Sequence, residues 1–193
     1  MAIAKSALDG KVVRIEPLEE RHRERVRPAA QHPEIFTVTT SAYGPLYDPY
    51  IDNALRRSDG VHDLAFAVFH KPTGRYVGMT RYLNIEEAHG KLEIGSTWYE
   101  PSVWASPVNP ECKLLLMAHA FEGLKFNRVE YKTDVRNARS RAAILKLGAS
   151  QEGIFRKHMI VADGRVRDSV FFSVTDDDWP AVKAGLEKRL QAS

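Results

Sequence analysis

The sequence predicts a mixed α/β fold (α+β, about seven strands, mostly antiparallel, helices on both faces), and three features carry that prediction. Three apolar segments, "DLAFAVFH", "RYVGMTRYL" and "KLEIGSTWYE", follow one another across the short connections "KPTG" and "EEAHG", the pattern of an antiparallel meander. An amphipathic helix then leads from "KLEIGSTWYE" to a further strand, "RVEYKTD", making a strand, helix, strand unit. A hairpin signal at Asp163 and Gly164 and a last amphipathic helix close the chain.

The 193 residues fit one domain, 1–193, large enough for a core without disulfides or metal staples. Hydrophobic content of 44% and charged content of 27% are ordinary for a globular protein, and no repeat or low-complexity segment interrupts them. No window approaches the roughly 18 apolar residues of a membrane span, so a cytoplasmic location without membrane contact is expected. The 28 Lys and Arg against 25 Asp and Glu leave only +3, too small an excess to point to nucleic acid. Cys112 is the single cysteine, which excludes an internal disulfide and a multi-cysteine zinc site. The seven histidines have no metal-ligand spacing, so no metal is expected.

Along the chain, "KVVRIEPL" alternates as a first strand, and Glu19 and Glu20 open a helix through about Ala30. The mixed charges of "EERHRERVR" suit its solvated face. Residues 32–50 form an aromatic, proline-rich loop with Tyr43, Tyr47 and Tyr50. A short helix follows with Asp48 as N-cap, Pro49 at its first position and Gly60 beyond its end. "DLAFAVFH" is apolar on both faces and should be a central strand. The next helix begins with Asn109 as N-cap and presents Leu114, Met117, Ala118, Phe121 and Leu124 as an apolar stripe. "RVEYKTD" buries Val129, Tyr131 and Thr133 on one face. The helix "NARSRAAILKLG" starts at Asn137 and stops at Gly148, and the tail helix sets Val182, Leu186 and Leu190 in register.

The segments "KLEIGSTWYEP", "WASPVNPECKLLLMAHAFEGL", "RVEYKTDVRNARSRAAILKLGA" and "EGIFRKHMIVADGRVRDSVFFSV", in this order, resemble the GNAT superfamily of acyl-CoA-dependent N-acyltransferases. Within it they are similar to the branch of ribosomal-protein N-terminal acetyltransferases (RimJ/RimL-like). The resemblance runs over roughly residues 11–180. It implies an acetyl-CoA cleft where the parallel fourth and fifth strands, residues 91–99 and 128–134, splay apart. The cofactor's pyrophosphate would lie on backbone N–H groups at the following helix start, which also offers the positive end of a dipole. The usual loop there is glycine-rich, and this one contains none. Ala105 and Ser106 are small, Ser106 adds a hydroxyl, and Pro107 and Pro110 each remove a donor. The expected contacts are Val108, Asn109, Glu111 and Cys112 through N–H groups and Lys113 through charge, with a plain helix cap as the alternative.

The resemblance also sets the carbonyl and pantetheine amides against the backbone of Ser96, Thr97 and Trp98. It implies Glu93 as catalytic base. A carboxylate in a partly dry cleft has a raised pKa suited to that role. Strand alternation would put Glu93 on one face with Gly95 and Thr97. A glutamate simply paired with a neighbouring Arg or Lys is the alternative. Asn137 and Ser140 match the asparagine and small residue that relatives place near the pantetheine arm, while an N-cap role explains Asn137 equally. The general-acid tyrosine of many relatives is replaced by Ile144, which leaves Ser140 as the candidate proton donor to the thiolate. Arg141, with Arg136, Arg139 and Lys146, forms a basic helix face that suits the 3'-phosphate, with a plain solvated helix face as the alternative for each. Cys112 is not expected to act as a nucleophile, because His119 lies about 10 Å along the helix.

The implied function is acetyl transfer from acetyl-CoA, as cosubstrate, to a primary amine by direct attack, with a peptide N-terminus or a small molecule as acceptor. Tyr43, Tyr47 and Tyr50 would line the acceptor side. A homodimer is one assembly open to the chain, and the sequence does not fix the oligomeric state. A non-catalytic acyl-CoA-binding or ribosome-associated module with the same fold is the alternative.

Overall fold

The computed structural model describes residues 2–38, 42–161 and 163–192. Its strands are β1 (Leu8–Asp9), β2 (Val13–Pro17), β3 (Leu64–His70), β4 (Arg75–Glu86), β5 (Lys91–Tyr99), β6 (Arg128–Asp134), β7 (Ser150–Ile160) and β8 (Val166–Thr175). They form one sheet in the order β1-β2-β3-β4-β5-β6-β8-β7. All neighbours are antiparallel except β5 and β6. The count is eight rather than about seven because Leu8–Asp9 adds a short edge strand, so the strand over 91–99 becomes β5.

The principal helices are α1 (Arg23–Val26), α2 (Tyr47–Arg57), α3 (Val108–Ala118), α4 (Ala138–Leu145) and α5 (Trp179–Gln191). α3 and α5 cover one face of the sheet, where Leu116, Met117, Trp179 and Leu186 meet Tyr82, Leu92, Ile94, Val129, Tyr131 and Phe172. α1 and α2 cover the other face over β3 to β5, with Val26, Tyr47, Ile51 and Ala54 against Ala65, Ala67, Met79 and Trp98. β3 is therefore covered on both sides, as its unbroken apolar run requires. Each fully buried Leu, Met or Phe here contributes about 1.5–3 kcal/mol through the apolar surface it removes from water.

Several local expectations change. The helix expected over 19–30 is a short α-turn, Arg23–Val26, between 3-10 turns at Glu20–His22 and Arg27–Ala30. α2 starts at Tyr47, so Asp48 lies in the first turn rather than at the cap, and it pairs with Arg23 at 3.1 Å and Arg27 at 2.8 Å. Those two cations anchor α2 to α1. Tyr47 is wholly buried with its hydroxyl on the Arg23 carbonyl, and so cannot line a cleft. α3 starts at Val108, one residue before the expected cap, and its buried stripe is Val108, Cys112, Leu116, Met117 and Ala120. The helix is thus rotated from the stripe read through Leu114 and Ala118, which are half-buried. Asn137 caps α4 as expected, accepting Ser140 N–H at 3.0 Å. Gly148 takes a left-handed φ of +97° after it. In the β7–β8 turn Asp163 accepts Arg165 N–H at 2.9 Å; Ala162, like part of the aromatic loop at 39–41, lies outside the described residues.

Candidate active site

β5 and β6 run side by side for three residue pairs only, Lys91 with Arg128, Leu92 with Val129 and Glu93 with Glu130. Beyond Glu93 the two strands part. The β6-facing backbone of residues 94–98 is left without a strand partner, an edge that can pair with amides of an extended ligand.

A bulge in β5 then reorganises the two faces. Met79 pairs with Trp98 and Arg81 with Gly95, so β5 carries an extra residue opposite Thr80. Ser96 takes a left-handed φ of +46° there. Simple alternation put Thr97 on the same face as Glu93; the extra residue reverses this. Thr97 points to α3, bonding Thr80 Oγ1 at 2.8 Å and accepting Lys113 Nζ at 2.9 Å. Trp98 turns to the Glu93 side instead, packing on Phe36 and donating Nε1–H to Tyr50 OH at 3.1 Å. Thr97 and Trp98, their side chains engaged on opposite faces, therefore meet a ligand in the split through the main chain.

Glu93 is 4% exposed. Its carboxylate sits 3.2 Å from Lys132 Nζ and accepts Asn84 Nδ2–H at 3.0 Å. Burial raises its pKa, and the charge of Lys132 with the bonds from Lys132 and Asn84 offset this only in part. The pairing alternative is thus present in the structure, and the shift is in the direction a base requires. The carboxylate leans over Gly95, where an added Cβ would lie 2.8 Å from Glu93 Oε1.

The loop before α3 holds its shape through Ser106. Its hydroxyl donates to Val103 O at 2.6 Å and accepts Val108 N–H at 3.3 Å, so it is not the free donor expected from sequence. Ala105 adopts φ +56°, the conformation a glycine would take without cost. Among the described residues the N–H groups of Ala105, Ser106 and Asn109 have no protein partner. They form a small donor cluster at the positive end of α3.

The remaining α3 residues depart from their expected place. Glu111 N–H bonds Pro107 O at 2.9 Å, and Cys112 N–H belongs to the helix ladder. Neither is a free donor. The Glu111 carboxylate turns away to the β1–β2 turn, accepting the N–H groups of Lys11, Val12 and Val13 at 2.9, 2.8 and 2.7 Å. Cys112 is fully buried, and burial pushes its thiol pKa up to about 12, so it holds no nucleophilic thiolate near neutrality.

Lys113 points into the split rather than to the loop. It is 5% exposed, bonded to Thr97 and 5.7 Å from the centre of the Tyr131 ring, so it touches both diverging strands. Burial pulls its pKa down to about 8. Its sequence signal was spacing: Lys113 stands three and four residues from Leu116 and Met117, on the buried face.

Across the split, Ser140 Oγ has no protein partner among the described residues, and Asn137 keeps its Nδ2 donor free while Oδ1 caps the helix. Arg141 donates Nη1–H to Val135 O at 3.3 Å, and its Nε is unpartnered. Arg139, which was only one member of the basic face, stacks on Trp104 at 4.1 Å and joins α4 to the loop before α3 across the mouth of the split. On the Glu93 face of the sheet Tyr50 is the tyrosine that reaches the split, through Trp98, while Tyr43 is exposed. Sequence reading missed Arg81, Asn84 and Lys132, whose roles arise only from strand pairing. Among the described residues no three His, Cys, Asp or Glu side chains converge on a metal-binding arrangement.

An unpaired strand edge, a helix-start donor cluster and a buried cation between them suit an extended ligand with amides and phosphates, such as acetyl-CoA. Comparison with known proteins agrees. Residues 13–150 match the acetyltransferase (GNAT) domain family. A Bacillus subtilis protein named "Putative ribosomal N-acetyltransferase YdaF" is 30% identical over 110 residues, 57% of this chain and 59% of that protein. The match thus spans less than two thirds of that curated relative. A GCN5-related N-acetyltransferase from Brucella melitensis is 34% identical and superposes with a TM-score of 0.89 over 98% of this chain and 87% of its own. Mycobacterium smegmatis RimJ in complex with CoA-disulfide shares the fold at a TM-score of 0.75 and 22% identity, covering 95% and 91% of the two chains. The domain match over most of the chain, joined to a fold shared along nearly its whole length, makes this protein a member of the GNAT acetyltransferase family.

Proposed function

We propose that the protein transfers acetyl from acetyl-CoA to a primary amine by direct attack, working in the cytoplasm on a protein or peptide N-terminus. The observation that carries this reading is the parting of β5 and β6 immediately after Glu93, which sets a buried carboxylate on one face and the α3 donors with Lys113 on the other. Acetyl-CoA supplies the activated acyl group. The residues fit it as follows: the main chain of Ser96, Thr97 and Trp98 binds the amides, the N–H groups of Ala105, Ser106 and Asn109 receive phosphate, and Asn137 Nδ2 and Ser140 Oγ line the α4 side.

Glu93 takes the proton of the incoming ammonium, directly or through water, and Lys132 and Asn84 hold its carboxylate in place. Lys113 puts a positive charge in the split that favours a departing thiolate, and Ser140 Oγ is the proton donor to it. Trp98 and Tyr50 form an apolar wall with a polar tip on the acceptor side. A protein acceptor is favoured by the name of the relative YdaF, a ribosomal N-acetyltransferase.

The test is release of free CoA from acetyl-CoA with a panel of peptides and small amines. Turnover is expected, and Glu93→Gln should lower it. Saturable acetyl-CoA binding without CoA release for any amine would instead make the protein a non-catalytic acyl-CoA-binding module.

A further inference from the structure

Arg81 lies at the centre of the acceptor side, 5% exposed, yet its Nε has no hydrogen-bond partner and no carboxylate among the described residues lies within ion-pair distance. Its guanidinium stacks 4.7 Å from the centre of the Tyr50 ring, and its strand partner is Gly95, the residue over which the Glu93 carboxylate leans. Arg81 and Glu93 therefore border the same patch of sheet. Lys132 is matched by Glu93 and Arg165 by Asp134 at 2.6 Å. A buried cation without a counter-ion is costly, and removing the cost requires an anion from outside the chain.

We propose that Arg81 binds an anionic group of the acceptor, which is then an amine carrying a carboxylate or phosphate. The inference rests on the acetyl-transfer reading for the word acceptor and on Arg81 itself for the anion. Arg81 and Glu93 are diagonal neighbours across the β4–β5 ladder, about 7–8 Å apart at the backbone, so one small acceptor can reach both side chains. The planar guanidinium fork matches both oxyanions, and Tyr50 stacking fixes its orientation. An acidic residue next to a peptide N-terminus and a small amino acid or amino phosphate share this chemistry.

The experiment compares matched acceptors with the full chain: Ser-Asp-Ala-Ala against Ser-Asn-Ala-Ala amides, β-alanine against propylamine, and phosphoethanolamine against ethanolamine. The anionic member of at least one pair is expected to have a kcat/KM at least about tenfold higher, and the pair that responds identifies peptide or small molecule. Arg81→Gln should collapse that ratio to near one and Arg81→Lys should keep part of it. The melting temperature of each variant verifies folding. Equal kcat/KM within every pair, or a preference that survives Arg81→Gln, overturns the proposal, and the wild-type comparison suffices even if a variant fails to fold. Calorimetric titration of the CoA-loaded protein with the same acceptors separates the two readings. Arg81-dependent selectivity without any turnover keeps the anion site and refutes acetyl transfer, whereas no selectivity in titration or turnover refutes the anion site.

Discussion

Lys113→Met should make the protein more stable at pH 7, by an amount that follows from where the amine sits. Burial takes Lys113 from an ordinary 10.5 to about 8, so the unfolded chain binds the proton more tightly than the folded one. That difference destabilises the folded state by about 3 kcal/mol at pH 7. The bond to Thr97 and the contact with Tyr131 return about 1 kcal/mol, leaving a net gain of about 2 kcal/mol for methionine. The sign with pH is fixed as well. The penalty is full below the folded pKa of about 8 and fades as pH rises toward 10.5, so wild-type stability gains on the variant across that window. Between pH 7 and pH 9.5 the gap should narrow by about 2 kcal/mol. Urea unfolding of both proteins at the two pH values measures it, and because both carry the same buried tyrosines, their titration cancels in the difference. A variant no more stable than wild type at pH 7, or a gap independent of pH, would refute the reasoning. Turnover should fall in the same variant, since the stabilising change removes the charge from the split.

Other consequences are equally direct. Glu93→Gln should lower kcat by about 100-fold or more and erase the acidic limb of the pH–rate profile, a limb that in the wild type lies above the ordinary carboxylate range because burial raises the Glu93 pKa. Glu111→Ala should cost about 3–5 kcal/mol in urea unfolding, because three N–H groups of the β1–β2 turn lose a charged acceptor. Gly10→Ala should destabilise through the same contact, since its Cβ would lie 2.6 Å from the Glu111 carboxyl. Ala105→Gly should leave acetyl-CoA affinity intact and relieve about 1 kcal/mol of left-handed strain, whereas Ala105→Val should weaken affinity in a calorimetric titration. Asn137→Ala should cost about 1 kcal/mol in the same unfolding assay through loss of the α4 cap.

The elements set by short-range rules were legible in the sequence. Period-two alternation marks β6, an unbroken apolar run marks the central β3, and Asn137 and Gly148 bound α4 by the capping and left-handed chemistry they are suited to. The motifs flanking the split also identified the family and placed Glu93 on the parting strand. What failed were inferences that assumed an uninterrupted period. One extra residue at Ser96 exchanges the faces of Thr97 and Trp98, and α3 packs with Val108, Cys112, Leu116 and Met117 inward, an orientation set by the sheet beneath it that carries Lys113 into the split.

Residue types and spacings by themselves determined which segments are strands and helices, because those properties depend on neighbours a few residues away, and the family resemblance carried by the motifs pointed to Glu93 beside the cleft. Tertiary structure alone decided the partners. Glu111 is 98 to 100 residues from the N–H groups it holds, and Arg81 acquires Tyr50 and Gly95 only when a helix and a neighbouring strand close on it. Whether a buried charge ends paired, as in Glu111, or waiting for an anion, as in Arg81, depends on chain segments that meet only in the folded sheet.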